Sequence, residues 1–155
     1  MNNIEVNKYL SAANAYIKEM SRYNSELKLY SKKNINLAYT KYLMDKEQNV
    51  IHLYYEDEYA GFLIISTGTK CHPNADYHIM EAYVVPKYRN KGVMKQAITN
   101  RMVQYPGTYC MYMLKDNTKA TKSLLHIFEA MGLAPEIVKD EFVRPYFDQY
   151  FVTIK

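Results

Sequence analysis

Val84-Val85-Pro86-Lys87-Tyr88-Arg89-Asn90-Lys91-Gly92-Val93-Met94 is the stretch on which the reading of this chain turns. An apolar strand runs into a Pro-bearing turn, then into a basic loop with one glycine, then into a segment of helical periodicity. A loop of this kind aims several unpaired backbone N–H groups and a helix N-terminus at one point. Arg89 and Lys91 add two positive charges there. A phosphate or diphosphate is the guest that such a point favours, so the chain reads as the holder of a phosphorylated cofactor. Lys87, Arg89, Lys91 and Lys95 could also be no more than a solvated helix start, but their clustering at a phosphate-shaped loop favours binding.

Around this loop the spacing of apolar residues sets out the elements. Ile4 to Arg22 carries Tyr9, Leu10, Ala13, Tyr16, Ile17 and Met20 on one helical face. Leu27 to Ser31 is ambiguous, and Asn34 could cap a second helix with Leu37, Ala38, Tyr42 and Leu43. Val50 to Glu56 and Tyr59 to Ser66 read as a hairpin across a short acidic turn. Gly61 opens an apolar run suited to a buried central strand. Thr67 to Asp76 is a polar loop, and Tyr77 to Val85 is a third long strand that Pro86 ends. Gly92 to Val103 is helical, Pro106-Gly107 turns into a strand over Tyr109 to Leu114, and Asn117 to Met131 is a helix stopped by Gly132. Phe147 to Ile154 closes as a strand. The order predicts a mixed α/β sheet with helices on its faces, and a strand–helix–strand crossover over residues 77 to 114. The loop then falls at the carboxyl end of a strand, where ligands of such sheets bind.

Composition narrows the function classes. A chain of 155 residues suits one domain, residues 1–155, and 48% hydrophobic with 23% charged residues is globular rather than disordered. No apolar run approaches the ~20 residues of a membrane span, and the first residues lack the regions of a signal peptide. The expectation is a soluble, cytoplasmic protein with no membrane partner. Cys71 and Cys110 are too few for a disulfide framework, so reduced thiols are expected, with Cys110 buried on its strand. A net charge of +4 suits an anionic ligand without demanding nucleic acid. The 17 tyrosines read first as packing, and less readily as stacking platforms for bases. Cys71, His72, Asp76 and His78 match no standard zinc spacing, so no metal is expected.

Neither Gly-x-x-x-x-Gly-Lys-Ser/Thr nor Gly-x-Gly-x-x-Gly occurs. The pattern that fits is Arg/Gln-x-x-Gly-x-Gly/Ala after a strand ending Val-x-Pro. Val84 to Val93 is similar to the pyrophosphate-binding motif of the GNAT superfamily of acyl-CoA-dependent N-acyltransferases. Tyr59-Ala60-Gly61-Phe62-Leu63 resembles the preceding central strand of that family. Ser123-Leu124-Leu125-His126-Ile127-Phe128-Glu129-Ala130-Met131-Gly132-Leu133 resembles its helix that ends in Gly-Phe. The likeness spans roughly residues 50 to 133. It departs from the pattern at Met94, where a small residue would let the helix approach the pyrophosphate. It departs again at Phe128, where many members carry a Tyr thought to protonate the departing thiolate; Phe has no proton to give.

The resemblance implies a mixed, mostly antiparallel sheet with helices on both faces, strands four and five being parallel and splayed. It implies acetyl-CoA as co-substrate, with its pyrophosphate on Arg89, Asn90, Lys91, Gly92, Val93 and Met94. The pantetheine arm would pair with main-chain groups near Tyr83, Val84 and Val85. Lys122, with Lys119, could reach the CoA phosphates or could simply be solvated. The acceptor would be a primary amine, from a small molecule, a protein or a modified nucleobase, acetylated by direct transfer. Members of the family often form homodimers.

An amine must lose its proton to attack, which calls for a general base. His78, early in the strand, and Asp116, after the next strand, are the leading candidates, followed by Glu81. His78 and Glu81 differ in parity and so face opposite sides of the sheet. Each has a plainer role open to it: Asp116 in capping a helix, Glu81 in pairing with a helix lysine, His78 in a strand hydrogen bond. Tyr146, Phe147 and Tyr150, within Arg144 to Tyr150, could line the acceptor pocket. The alternative function is a non-catalytic CoA- or nucleic-acid-binding protein on the same fold, motivated by Phe128, Met94 and the basic, tyrosine-rich composition.

Overall fold

In a computed structural model of the chain, residues 3–20, 22, 49–138 and 147–155 are described. The helix expected from Asn34, the Leu27 to Ser31 stretch and Arg144 to Tyr146 lie outside them. Six strands, among the described residues, follow the order β1-β2-β3-β4-β6-β5: β1 Val50–Tyr55, β2 Glu58–Thr67, β3 Tyr77–Val84, β4 Gly107–Leu114, β5 Glu136–Val138 and β6 Phe147–Ile154. The helices are α1 Asn3–Met20, α2 Val93–Gln104 and α3 Thr118–Ala130. The sheet is mixed, antiparallel in β1–β2, β4–β6 and β5–β6, with β3 and β4 the parallel pair. That pair is third and fourth among the described strands. The contacts divide the chain into two compact units, residues 1–64 with 81–93, and residues 65–80 with 94–155.

The first unit is built on the hairpin. Glu56 and Asp57 form its two-residue turn with φ of 47° and 65°. Positive φ at both central residues is the type I′ geometry whose twist matches the flanking strands. Within β2, Tyr59 to Ile65 are buried without interruption, the pattern of a strand covered on both faces. Gly61 is required there: at φ +155° an added Cβ would lie 2.0 Å from the Tyr83 carbonyl oxygen. α1 buries Tyr9, Ala12, Ala13 and Ile17, a single stripe at helical spacing. The Tyr9 and Tyr16 rings meet Phe62 edge-on at 5.0 and 5.8 Å.

The second unit is built on β4. Its register with β6 runs from Gly107↔Ile154 to Leu114↔Phe147. Tyr77↔Tyr109 and His78↔Cys110 form its ladder with β3. Asp76 fixes the entry to both strands: its backbone N–H donates to the Thr108 carbonyl, and its carboxylate accepts from the Thr108 N–H at 2.8 Å. α3 starts at Asn117, whose Oδ1 accepts from the Ala120 N–H at 3.3 Å. It stops at Gly132, with φ +74° and paired bonds from Gly132 to Glu129 and from Leu133 to Phe128. This is the double closure of a left-handed helix end.

Two features depart from the sequence reading. Cys71 and Cys110, expected as thiols, form a disulfide with Cα atoms 6.3 Å apart. The loop after β2 turns back over β4, as the hydrogen bonds of its Asp76 end require, and brings Cys71 onto Cys110; a count of two cysteines carries no information on that approach. β5, three residues long and mostly exposed, is too short to leave a periodic signal.

Candidate active site

The loop that opened the sequence reading belongs to the first unit. After β3, Pro86 starts one 3₁₀ turn over Pro86–Tyr88, with the proline where a helix needs no N–H. The Tyr88 and Arg89 N–H groups close that turn on the Val85 and Pro86 carbonyls at 2.9 and 3.2 Å. Asn90 and Gly92 then adopt the left-handed conformation, with φ of 64° and 76°. Among the described residues, no N–H of Asn90, Lys91 or Gly92 donates to another main-chain group, and Val93 opens α2, whose first N–H groups lack intrahelical partners. Left-handed residues in a tight loop can turn neighbouring N–H groups to one side, the basis of anion-binding concavities. A Cβ on Gly92 would meet nothing within 4 Å. The chain thus presents free donors and open space together, and these residues fit a diphosphate.

The charges around the loop are placed differently from one another. Lys91 Nζ stands 5.4 Å over the Tyr55 ring and Lys87 Nζ 5.3 Å over the Tyr88 ring. Arg89 is engaged on three sides. Its Nη1 and Nη2 donate to the two carboxylate oxygens of Glu19 at 3.0 and 2.7 Å, and its Nε donates to the Val84 carbonyl at 2.9 Å. Its guanidinium lies 5.5 Å over the Tyr83 ring.

Upstream, the main chain of β3 is partly committed. Val85 N–H donates to Ala60 at 2.8 Å, and the Tyr83 carbonyl is pressed against Gly61. Main-chain direction alternates along a strand, so Val84 turns its N–H to the opposite edge. The Tyr83 side chain is buried, packed on Tyr16 and Phe62 at 5.3 and 5.8 Å.

Glu81 shares the parity of Tyr83 and accepts a short hydrogen bond from the Tyr16 hydroxyl of α1. Burial pushes its carboxyl up to about 7, against the pull of the Tyr16 bond, which lowers it. A carboxylate balanced near neutrality can accept a proton at physiological pH and release it again. Tyr16 and Glu19 stand three residues apart on α1, on one face. From that face they reach Glu81 and Arg89, so the first unit brings together Glu81, Tyr83, Arg89 and the loop.

The other candidates stand in the second unit. His78 pairs with Cys110 in the β3–β4 ladder, and its ring meets Tyr112 edge-on at 5.9 Å. Asp116 is exposed before α3, whose cap is Asn117 instead. Met94 is the second residue of α2, half-buried, while Lys119 and Lys122 are exposed on α3. Phe128 and Gln149 are fully buried, and Tyr150 is buried. Of the cysteine, histidine and aspartate residues around the loop after β2, Cys71 is in the disulfide, Asp76 holds Thr108, and His72 Nδ1 accepts from the Asn74 N–H at 3.1 Å.

Tyr16 and Glu19 escaped the sequence reading. Tyr16 stood in the apolar stripe of α1 and Glu19 beside it, so both looked like ordinary helix residues. Their partners lie 65 and 70 positions away, and nothing in one sequence signals such pairing.

The profile of the acetyltransferase (GNAT) family matches residues 13–132, whereas no curated protein matches. Among solved structures, an N-acetyltransferase from Staphylococcus aureus is similar with a TM-score of 0.67 at 12% identity, over 97% of this chain and 96% of that one. An acetyltransferase of the GNAT family from Bacillus cereus has a TM-score of 0.63 at 14% identity, over 100% and 93%. A diaminobutyrate acetyltransferase from Paenibacillus lautus, in complex with L-2,4-diaminobutyric acid and coenzyme A, has a TM-score of 0.56 at 13% identity, over 74% and 76%. Likeness at these identities is likeness of fold, and the profile, which spans most of the chain, carries the assignment: this protein belongs to the acetyltransferase (GNAT) family.

Proposed function

We propose that the protein is an N-acetyltransferase that moves the acetyl group of acetyl-CoA directly to a primary amine. The observation that carries the reading is the loop at Asn90 to Gly92, with two left-handed residues and unpartnered N–H groups at the start of α2. Acetyl-CoA supplies the activated acyl group. The chain supplies the grip on the diphosphate through main-chain donors, with the Val84 N–H as the nearest strand group for the pantetheine arm.

Glu81 is the proposed base, ahead of His78 and Asp116. Its carboxyl, pushed up to about 7, takes the proton that the acceptor ammonium must lose before its nitrogen attacks. The C–N bond forms, the C–S bond breaks, the attacking nitrogen gives up its second proton to solvent, and the thiolate takes its proton from the protonated Glu81 or from solvent, since Phe128 offers none.

The test has two arms. Calorimetric titration with CoA and acetyl-CoA should give binding, and thiol release against a panel of amines should give turnover. Glu81→Gln should lower kcat by about a hundredfold with CoA affinity retained. An unchanged kcat in Glu81→Gln removes Glu81 as base. CoA binding without turnover on any amine favours the non-catalytic reading, and no CoA binding ends both.

A further inference from the structure

We propose that the Arg89 guanidinium is a positioning group rather than a phosphate ligand, and that Glu19 of α1 is its working partner. This inference rests on the reading of the loop as a CoA-diphosphate site. A basic residue at the head of a phosphate loop invites the opposite assignment, and the geometry argues against it.

Of the five N–H donors of Arg89, one goes to the Val84 carbonyl and two go to Glu19, one to each carboxylate oxygen. The fork-to-fork pairing is the geometry in which a guanidinium is held most firmly. Its face lies over Tyr83. Its positive charge is offset by Glu19 at 2.7 Å, so an incoming anion meets a neutral pair. To reach a phosphate, Arg89 would have to leave Glu19, and the freed carboxylate would then stand beside a dianion.

What the arrangement does achieve is orientation. The Nε bond to Val84 spans five residues and fastens the bend that contains Pro86, while the Glu19 pair ties the same side chain to α1. The next residue, Asn90, takes φ +64°, a conformation that costs about 1 kcal/mol in an unrestrained chain. Holding Arg89 on both sides fixes the direction from which the Asn90, Lys91 and Gly92 N–H groups are presented. Arg89 thus contributes to CoA binding through the main chain that follows it.

The two roles predict opposite signs for one substitution. If Arg89 were a phosphate ligand restrained by Glu19, Glu19→Gln would release it and remove a nearby negative charge, so CoA would bind more tightly. If Arg89 is a positioning group, Glu19→Gln should weaken CoA about tenfold, as should Arg89→Gln. Arg89→Lys should not rescue, because an ammonium keeps the charge but not the fork. The double variant should be no worse than either single one, since both break the same contact. Calorimetric Kd values for CoA, measured well below each variant's melting temperature, provide the readout. Steady-state kinetics should place the loss in KM for acetyl-CoA, with kcat at saturation retained.

Tighter or unchanged binding in Glu19→Gln, rescue by Arg89→Lys, or additive losses would each overturn the proposal while leaving the CoA site standing. Absence of CoA binding by the unaltered protein would overturn both. Should Arg89→Gln not fold, Glu19→Gln and Arg89→Lys carry the decision.

Discussion

Glu81 and Tyr16 make the chemistry of one carboxyl depend on a helix 65 residues upstream. Burial raises Glu81 and the Tyr16 hydroxyl lowers it, with burial the larger. The ionised carboxylate is the form that accepts a proton, so the rate should rise with pH through about 7 and level above it. Tyr16→Phe removes the opposing influence and leaves burial intact, so the limb should move to higher pH. A hydrogen bond to a charged group is worth about 1.5–3 kcal/mol, hence a displacement of about one to two units. Activity at pH 7 should fall at least severalfold and return on raising the pH. A pH–rate profile of the variant checks this, and an unmoved limb would separate the Tyr16 bond from catalysis. Substitution of His78 or of Asp116 discriminates the other candidates: with Glu81 as the base, neither change should remove the limb near 7.

At the scale of the element, the loop from Pro86 to Val93 depends on Gly92. The φ of 76° and the open space at its Cβ position mean that a substituent would cost about 1–2 kcal/mol of backbone strain and would project where the diphosphate is expected. Gly92→Asp should therefore weaken CoA by tenfold or more through charge and bulk together, with the melting temperature only slightly lowered; unaltered affinity would move the anion site elsewhere. Elements like this one were legible because they are local. Pro86 and Gly92 mark the turn, the Glu56-Asp57 pair interrupts two apolar runs, and Gly132 ends α3, each through backbone preferences of the residue itself. Asn117 was legible as the start of α3, and its side chain does form the cap. The three-residue β5 carried no period to detect. Glu81 stood third among the candidate bases for a related reason: its perturbation comes from burial, which one sequence does not display, whereas His78 and Asp116 were singled out by position along the chain.

At the scale of the molecule, the Cys71–Cys110 bond is the long-range constraint that composition concealed. It closes a loop of sequence separation 39, and the chain-entropy relation then assigns it about 4 kcal/mol of stabilisation through the unfolded state. Other contacts hold the same segment. The Cys71 carbonyl accepts from Gln149 Nε2 at 2.9 Å and from the Tyr112 hydroxyl at 3.1 Å, and Asp76 is bonded to Thr108 at 2.8 Å. These bonds survive reduction, so the folded arrangement of the segment should persist while the unfolded chain gains freedom. The expected outcome is a fall in melting temperature of about 10 °C with a phosphine reductant, without loss of secondary structure below the transition. Alkylation of the unreduced protein in denaturant should label no thiol, and after reduction it should label both cysteines. A melting temperature indifferent to reductant, in protein shown by alkylation to change from bridged to free, would mean that the unfolded chain keeps Cys71 and Cys110 close without the bond.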